Sequence, residues 1–387
     1  MSAAAAMALE EIMPPRLGTV DPAAHPDEEF DLYSIPAFDA GEPEVAIGRQ
    51  IGSAKQIVKP GDVLLSRIVP HIRRAWVVGD DRGRRIIASS EWIVFRGPSV
   101  VPHYLRHVLV GDPFHAEFMH TVSGVGGSLL RARPAYVAKI RIPLPTLLEQ
   151  RRVAEILDKA DALRAKRRTA LAQLDRLTQS IFLDMFGDPA TNPKGLLTSN
   201  IDGIAEQVTD GEHLTPERTT EGIKLLSARN VRDGYIDFEN VDYIGIDEYE
   251  RIRRRCNPSR GDILISCSGT IGRVASVETD ECFSLVRSAA LVRPKSAAIR
   301  TKFLEHYLRT PALKARMLRR ANASSQANLF QGQIRELPVF VPPVELQDTF
   351  VRTVARVESL KAIGQGVLAE LEALFASLQH RAFREEL

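Results

Sequence analysis

Lys59-Pro-Gly-Asp-Val-Leu-Leu-Ser66 is followed, about 200 residues later, by Ser259-Arg-Gly-Asp-Ile-Leu-Ile-Ser266. In both copies a Gly-Asp pair leads into an aliphatic, partly β-branched run, the pattern of a turn opening into a strand. Three further stretches recur in the same order at nearly the same offset. Glu91-Trp-Ile-Val-Phe-Arg96 is matched by Ser288-Ala-Ala-Leu-Val-Arg293, and Ile140-Arg-Ile-Pro-Leu-Pro145 by Leu337-Pro-Val-Phe-Val-Pro342. Leu171-Ala-Gln-Leu-Asp-Arg-Leu177 is matched by Leu368-Ala-Glu-Leu-Glu-Ala-Leu374. None of these matches is specific alone. Four in register identify a duplication whose period is about half the chain.

Each half reads in one order: short strands and turns, a short helix (around Tyr104–Met119 and Phe303–Leu318), a Pro-marked extended segment (Ile142–Pro145 and Val339–Pro343), then a long helix. The first long helix is expected over Leu148–Phe186. Val153, Ile156, Ala160, Leu163, Ala170, Leu174, Leu177 and Ile181 form a heptad seam broken only by Arg167, and Gly187-Asp-Pro189 ends it. The second is expected over Val344–Phe383, with Phe350, Val357, Leu360, Val367, Leu371, Leu374 and Leu378 in the same register. Gly364 falls on that seam and Gly366 follows, which marks a kink or a close backbone crossing. Seams this long need a cover. Two amphipathic helices each packed on its own domain would satisfy the spacing, but the duplication favours an antiparallel pair carrying a domain at each end.

A chain of 387 residues is long enough for two or three domains. Net charge is only +2, yet the charge is unevenly placed. Residues 1–50 hold ten acids and only Arg16 and Arg49 as bases. Residues 51–141 hold fourteen Lys/Arg against six acids, and residues 251–336 seventeen against six. Two separated basic zones on a near-neutral chain suit a protein that meets a polyanion in two places. Cys256, Cys267 and Cys282 have neither CxxC spacing nor paired histidines, so they read as reduced thiols, with no zinc site and no disulfide. The N-terminus lacks a basic region before its apolar stretch, no run of about 18 apolar residues occurs, and a cytoplasmic protein without a membrane span is expected.

Gly261-Asp-Ile-Leu-Ile-Ser-Cys-Ser-Gly-Thr-Ile-Gly-Arg273 resembles the strand–loop signature of target recognition domains in the specificity subunits of Type I restriction–modification systems. Asp210-Gly-Glu-His-Leu-Thr-Pro216, Ser325-Gln-Ala-Asn-Leu329 with Ile334 and Leu337–Pro343, Ile142-Pro-Leu-Pro-Thr-Leu-Leu-Glu-Gln-Arg151, and Phe186-Gly-Asp-Pro with Asn192-Pro-Lys-Gly195 resemble further family motifs. The resemblance runs from about residue 30 to the end. It implies an α+β fold with two target recognition domains (1–145 and 188–343), held apart by two long antiparallel conserved helices (146–187 and 344–387) as a pseudo-twofold repeat. It also implies double-stranded DNA as ligand, read as a bipartite site, with two adenine methyltransferase subunits and motor-nuclease restriction subunits as partners. S-adenosylmethionine, ATP and Mg are expected on those partners and no cofactor on this chain. The first half departs from the pattern: it has no clear counterpart of Gly211–Pro216, and after Ser66 it reads Arg-Ile-Val-Pro-His-Ile-Arg-Arg.

Catalytic motifs are missing. Pro-Pro occurs only in Met13-Pro-Pro15-Arg and Val341-Pro-Pro343-Val, without the amide or acid that a base-holding methyltransferase motif requires, and no GxxxxGK[ST] loop is present. Gly124-Val-Gly126-Gly127 reads as a turn or DNA-facing loop. A non-catalytic, DNA-reading subunit is therefore expected, with Lys/Arg on phosphates supplying affinity and side chains at base edges supplying specificity. The candidate reading residues are Ser66, Arg67, His71, Arg73, Arg74, Ser123, Ser128, Arg131 and Arg133 in the first half. In the second they are Ser268, Thr270, Arg273, Arg287, Ser324, Ser325, Gln326, Asn328 and Gln331. Competing expectations are the same subunit in a methylation-only or other phage-defence complex, a coiled-coil adaptor that reads no DNA, and an enzyme in its own right.

Overall fold

The computed structural model describes residues 6–123, 130–321 and 327–383. The chain divides into two α+β units: Met1–Arg168 with Gly366–Leu387, and Thr169–Gln365. Each unit uses half of each long helix, Leu147–Phe186 and Val344–Ala382. In the first unit Arg168 pairs with Glu372 at 2.7 Å, and the Arg164 guanidinium lies 4.1 Å above the Phe375 ring. In the second unit Asp175 pairs with Lys361, and the rings of Phe182 and Phe350 are 5.6 Å apart. Within each unit, then, the two helix halves run antiparallel.

The duplicated Gly-Asp-aliphatic stretch forms the middle strand of a sheet in each unit. Val63–Ser66 is antiparallel to Ala75–Val77 on one side and Trp92–Phe95 on the other. Ile263–Ser266 lies likewise between Val274–Ser276 and Ala289–Pro294, with Ala205–Asp210 added outside. These strands are buried on both faces, which is why the sequence runs are continuously aliphatic rather than alternating. A second sheet completes each unit: five strands in the first (Thr19–Val20, Lys55–Ile57, Arg85–Ala88, Glu29–Tyr33, Glu44–Ile47), four in the second (Arg218–Thr219, Asp242–Ile244, Ile223–Leu226, Phe283–Leu285).

The motif's polar residues explain its recurrence. Gly61 and Gly261 adopt left-handed φ of 82° and 94°, where glycine carries no steric penalty. Asp62 then accepts from the Lys59 N–H at 2.8 Å and takes a two-pronged contact from Arg96, 2.6 Å on each prong. Asp262 accepts from the Ser259 N–H at 2.9 Å and is gripped by Arg293 at 2.8 and 2.7 Å. The Asp62 hydrogen bonds and charge, outweighing burial, raise the Arg96 pKa; Asp262 does the same for Arg293. Gln150 and Gln347, both fully buried, are a second duplicated device. Gln150 accepts from the Val101 N–H (2.7 Å) and donates to Ser99 O and Pro145 O. Gln347 accepts from the Arg300 N–H (2.8 Å) and donates to Ala298 O and Pro342 O. Each ties the start of a long helix to the loop ahead of the short helices.

Three expectations need correction. The single short helix in each half is two: Pro102–Val110 and Asp112–Met119, then Thr301–Leu308 and Pro311–Ala321, with Pro113 or Pro311 starting the second of each pair. The heptad seam is right at one position per heptad and one residue off at the other. Leu163, Leu177, Leu360 and Leu374 are exposed, whereas Leu157, Arg164, Val354 and Phe375 face inward. Arg164 occupies its seam place by stacking on Phe375, a polar choice that an apolar count skips. Gly364 and Gly366 do not break the second helix; Gly364 is buried, and a Cβ at Gly366 would meet no atom within 4 Å. The Gly187 stop behaves as expected, with φ 79° and its N–H donating to Leu183 O at 2.8 Å.

Candidate nucleic-acid interface

In the second unit the loop leaving Ile263–Ser266 is organised by one hydroxyl. Ser266 Oγ donates to Thr270 O (2.6 Å) and accepts from the Arg273 N–H (2.9 Å), while Gly269 and Gly272 turn the chain with φ of 67° and 81°. Ser268 and Thr270 stand at the rim of an open depression of about 460 Å³, with Arg229, Arg232 and Arg273 in its wall. Arg229 is paired with Asp242 and Arg232 with Asp237. Among the described residues Arg273 has no carboxylate partner. Beside the loop, Met317 packs against Gly272, and its helix carries Arg316, Arg319 and Arg320 around a further open depression of about 440 Å³. Only Arg320 of these three has an acidic partner among the described residues, Glu336 at 3.2 Å. Arg287 is exposed nearby, its N–H donating to Glu212 O. Thr270 and Arg273 thus share one basic depression with Arg229 and Arg232, and Arg316 lies on the helix packed beside the loop, three arginines that sequence reasoning did not select. Arg316 was visible as one of the run Arg316, Arg319, Arg320; nothing in the sequence singled out Arg229 and Arg232.

Asn328 is half-buried and its Oδ1 has no hydrogen-bond partner among the described residues; Gln331 opens the short helix Gln331–Arg335. Ser324, Ser325 and Gln326 lie outside the described residues, as do Ser128 and the Gly124–Gly127 stretch.

The first unit builds the same loop with different partners. Ser66 N–H donates to Arg74 O at 2.9 Å, as Ser266 N–H donates to Arg273 O at 2.9 Å, so Arg74 and Arg273 correspond. The left-handed turn of Gly269 is made here by Val69 at φ 50°. Two candidates leave the reading surface. Ser66 is 1% exposed and its hydroxyl donates to Ile68 O at 3.0 Å, so it shapes the loop. Arg74 is buried and held by Asp39 at 2.8 and 2.9 Å; that contact, more than the opposing burial, holds the Asp39 carboxyl below its usual range. Arg73 is exposed but bound to Asp112 at 2.6 Å and to Val110 O. Arg133 donates to Ser123 Oγ at 2.8 Å and lies over Tyr136. His71 is exposed at the loop tip. Arg67 and Arg131 share a residue that sequence reasoning missed, Glu91, at 3.1 and 3.2 Å. Burial pushes the Glu91 carboxyl up, but hydrogen bonds and charge from Arg131 and Arg67 outweigh it and leave it below the usual carboxylate range.

Among the described residues no cluster of His, Cys, Asp or Glu is placed to hold a metal ion. The buried thiols of Cys256 and Cys267 are pushed up to about 12 by desolvation, the state of an unreactive thiol. Among the described residues no helix is long and apolar enough to cross a membrane.

Comparison with known proteins agrees with this architecture. Residues 230–373 match the family model of the Type I restriction modification DNA specificity domain. The chain is 24% identical over 276 residues to the EcoBI specificity subunit of Escherichia coli, an alignment covering 64% of this chain and 58% of that protein. It is 23% identical over 323 residues to the EcoKI specificity subunit of Escherichia coli K12, covering 78% and 68%. The chain thus spans less than two thirds of the first of these relatives. Two solved structures share the fold. One is a chain from a type I R-M system studied for its assembly and conformational transition (TM-score 0.59, 19% identity, 99% of this chain and 98% of that one). The other is a Type-I restriction-modification S subunit from M. genitalium (TM-score 0.60, 12% identity, 99% and 97%). In its duplicated fold, and over residues 230–373 in its sequence, the chain is similar to the specificity subunits of Type I restriction–modification systems.

Proposed function

We propose that this chain reads a bipartite site in double-stranded DNA, one half-site per unit, and leaves the chemistry to other subunits. The observation that carries the reading is the repeated loop after the central strand. In the second unit it leaves Arg273 without a carboxylate partner among the described residues and beside five further arginines, and in the first it brings Arg67 and Arg131 together at Glu91. Guanidinium groups pair with phosphate and, through two parallel N–H bonds, with the guanine edge. In this reading the long helices carry the two units and receive two adenine methyltransferase subunits, and motor-nuclease subunits join them for restriction. S-adenosylmethionine, ATP and Mg are bound by those partners.

A binding titration with the full chain, purified with its native subunits, tests the reading. A 40-base-pair duplex carrying the modified site should bind with an affinity that falls steeply between about 50 and 200 mM salt, by counterion release. Affinity insensitive to salt, or equal for every sequence, would refute it. The purified chain alone should transfer no methyl group to DNA.

A further inference from the structure

The two units arrange the same three chain segments around their loops and place different chemistry there. In the first unit the Arg67 N–H donates to Glu91 O at 3.0 Å, and the Ala132 N–H donates to Arg67 O at 2.8 Å. In the second the Cys267 N–H donates to Ser288 O at 2.8 Å, and the Leu329 N–H donates to Cys267 O at 2.9 Å. Positions 67, 91 and 131 therefore correspond to 267, 288 and 328. The first set is Arg, Glu, Arg; the second is Cys, Ser, Asn.

We infer that Arg67 is a guanine-reading residue of the first unit and that Glu91, with Arg131 bracing it, is the positioning residue that presents it. This rests on the DNA-reading function proposed above. Glu91 Oε2 accepts from Arg67 Nε at 3.1 Å, and Oε1 from Arg131 Nη2 at 3.2 Å. Arg67 is thus held through Nε alone. Among the described residues its Nη1 and Nη2 have no protein partner, and those two nitrogens form the fork that matches guanine O6 and N7. Arg131 is held through both Nε and Nη2, so it fixes the carboxylate and leaves its Nη1 spare. Two guanidinium groups on one carboxylate leave a net positive charge facing solvent, suited to an electronegative base edge. The side chain is ordered before DNA arrives, which lowers the entropy lost on binding.

The fold does not require this cluster. The second unit closes the same junction, with the same backbone bonds, around a buried thiol, a serine hydroxyl and Asn328. A half-exposed ion pair contributes little to stability in any case. The ionic set is therefore free to serve recognition. The adjoining turn is strained in the first unit alone: Val69 takes φ 50° where the second unit has glycine. Strain of that kind gathers where a loop is held for function.

Selection from a randomised duplex library, with the full chain purified from its own host with its native subunits, tests the inference. The wild type should enrich a bipartite site with at least one G·C pair fixed in the first unit's half. Arg67→Lys keeps the charge and loses the fork, and Glu91→Gln keeps the shape and frees the arginine. Each should relax that G·C pair by roughly tenfold and leave the other half-site unchanged. If Glu91→Gln lowers the melting temperature, the triple exchange Arg67→Cys, Glu91→Ser, Arg131→Asn installs a set this junction already carries in the second unit, and it should abolish the preference at the same pair. An unchanged first half-site in folded variants overturns the inference. A wild type that enriches no bipartite site overturns the DNA-reading function beneath it.

Discussion

Arg74 and Arg273 occupy the same place in the two units, each offering its carbonyl to the serine that ends the central strand, yet only Arg74 is neutralised, by Asp39. One guanidinium belongs to the fold and the other to the surface. Arg273→Ala should therefore leave stability unchanged within about 0.5 kcal/mol and weaken DNA binding by roughly five- to hundredfold, shallowing the salt dependence by about one unit if its contact is a phosphate. Arg74→Ala should do the reverse, lowering stability by about 1 kcal/mol with little direct effect on affinity. Parallel thermal melts and binding titrations separate the two.

Asp62 and Asp262 should be equivalent in stability. Each is buried and gripped by an arginine that stays about one-third exposed. Asp62→Ala or Asp262→Ala would strand that arginine and a loop N–H, at a cost of about 3 kcal/mol, the lower end for a buried pair because the arginine reaches solvent. Gln150→Leu and Gln347→Leu should cost roughly 2–4 kcal/mol each, since each leaves one buried N–H and two carbonyls unpaired. Denaturant titration of the four variants checks the equivalence.

The first unit should weaken in mild acid. His107 is fully buried, its Nε2 lies 2.7 Å from Asp158, and its Nδ1 has no partner among the described residues. Burial, then the charge of Arg106, push its pKa below the ordinary 6.5, outweighing Asp158 and Asp161. The unfolded chain therefore binds that proton more readily. The histidine's contribution is complete above pH 6.5 and is lost as pH falls below it towards the lowered folded value. Melts between pH 7.5 and 5 should show a fall that His107→Gln reduces; an identical fall in the variant would refute the assignment.

Much of the fold is legible in the sequence because the duplication is carried by residues the backbone needs: Gly61 and Gly261, Asp62 and Asp262, Gln150 and Gln347. The helix seam is only half legible, because Arg164 holds a core position by stacking on Phe375, and hydrophobic counting assigns that place to Leu163. The interface is less legible still. Arg67, Arg73, Arg74 and Arg131 look alike as letters, and only tertiary pairing with Glu91, Asp112 and Asp39 separates braced, bound and buried guanidinium groups. Glu91 is hidden because an acid in a basic zone reads as a stray charge.

Gly366 offers a control for the helices. It lies mid-helix, and a methyl group added there would point into open space, with no neighbouring atom within 4 Å. Gly366→Ala should raise stability by about 1 kcal/mol without moving either half-site, as read by melting and by library selection.

Sequencing of methylated adenines in host DNA, compared between the wild type and Arg273→Ala, tests the central claim most directly. Two units that read separately predict that one half-site relaxes while the other stays fixed. Simultaneous change in both half-sites would contradict a chain built from two independent readers.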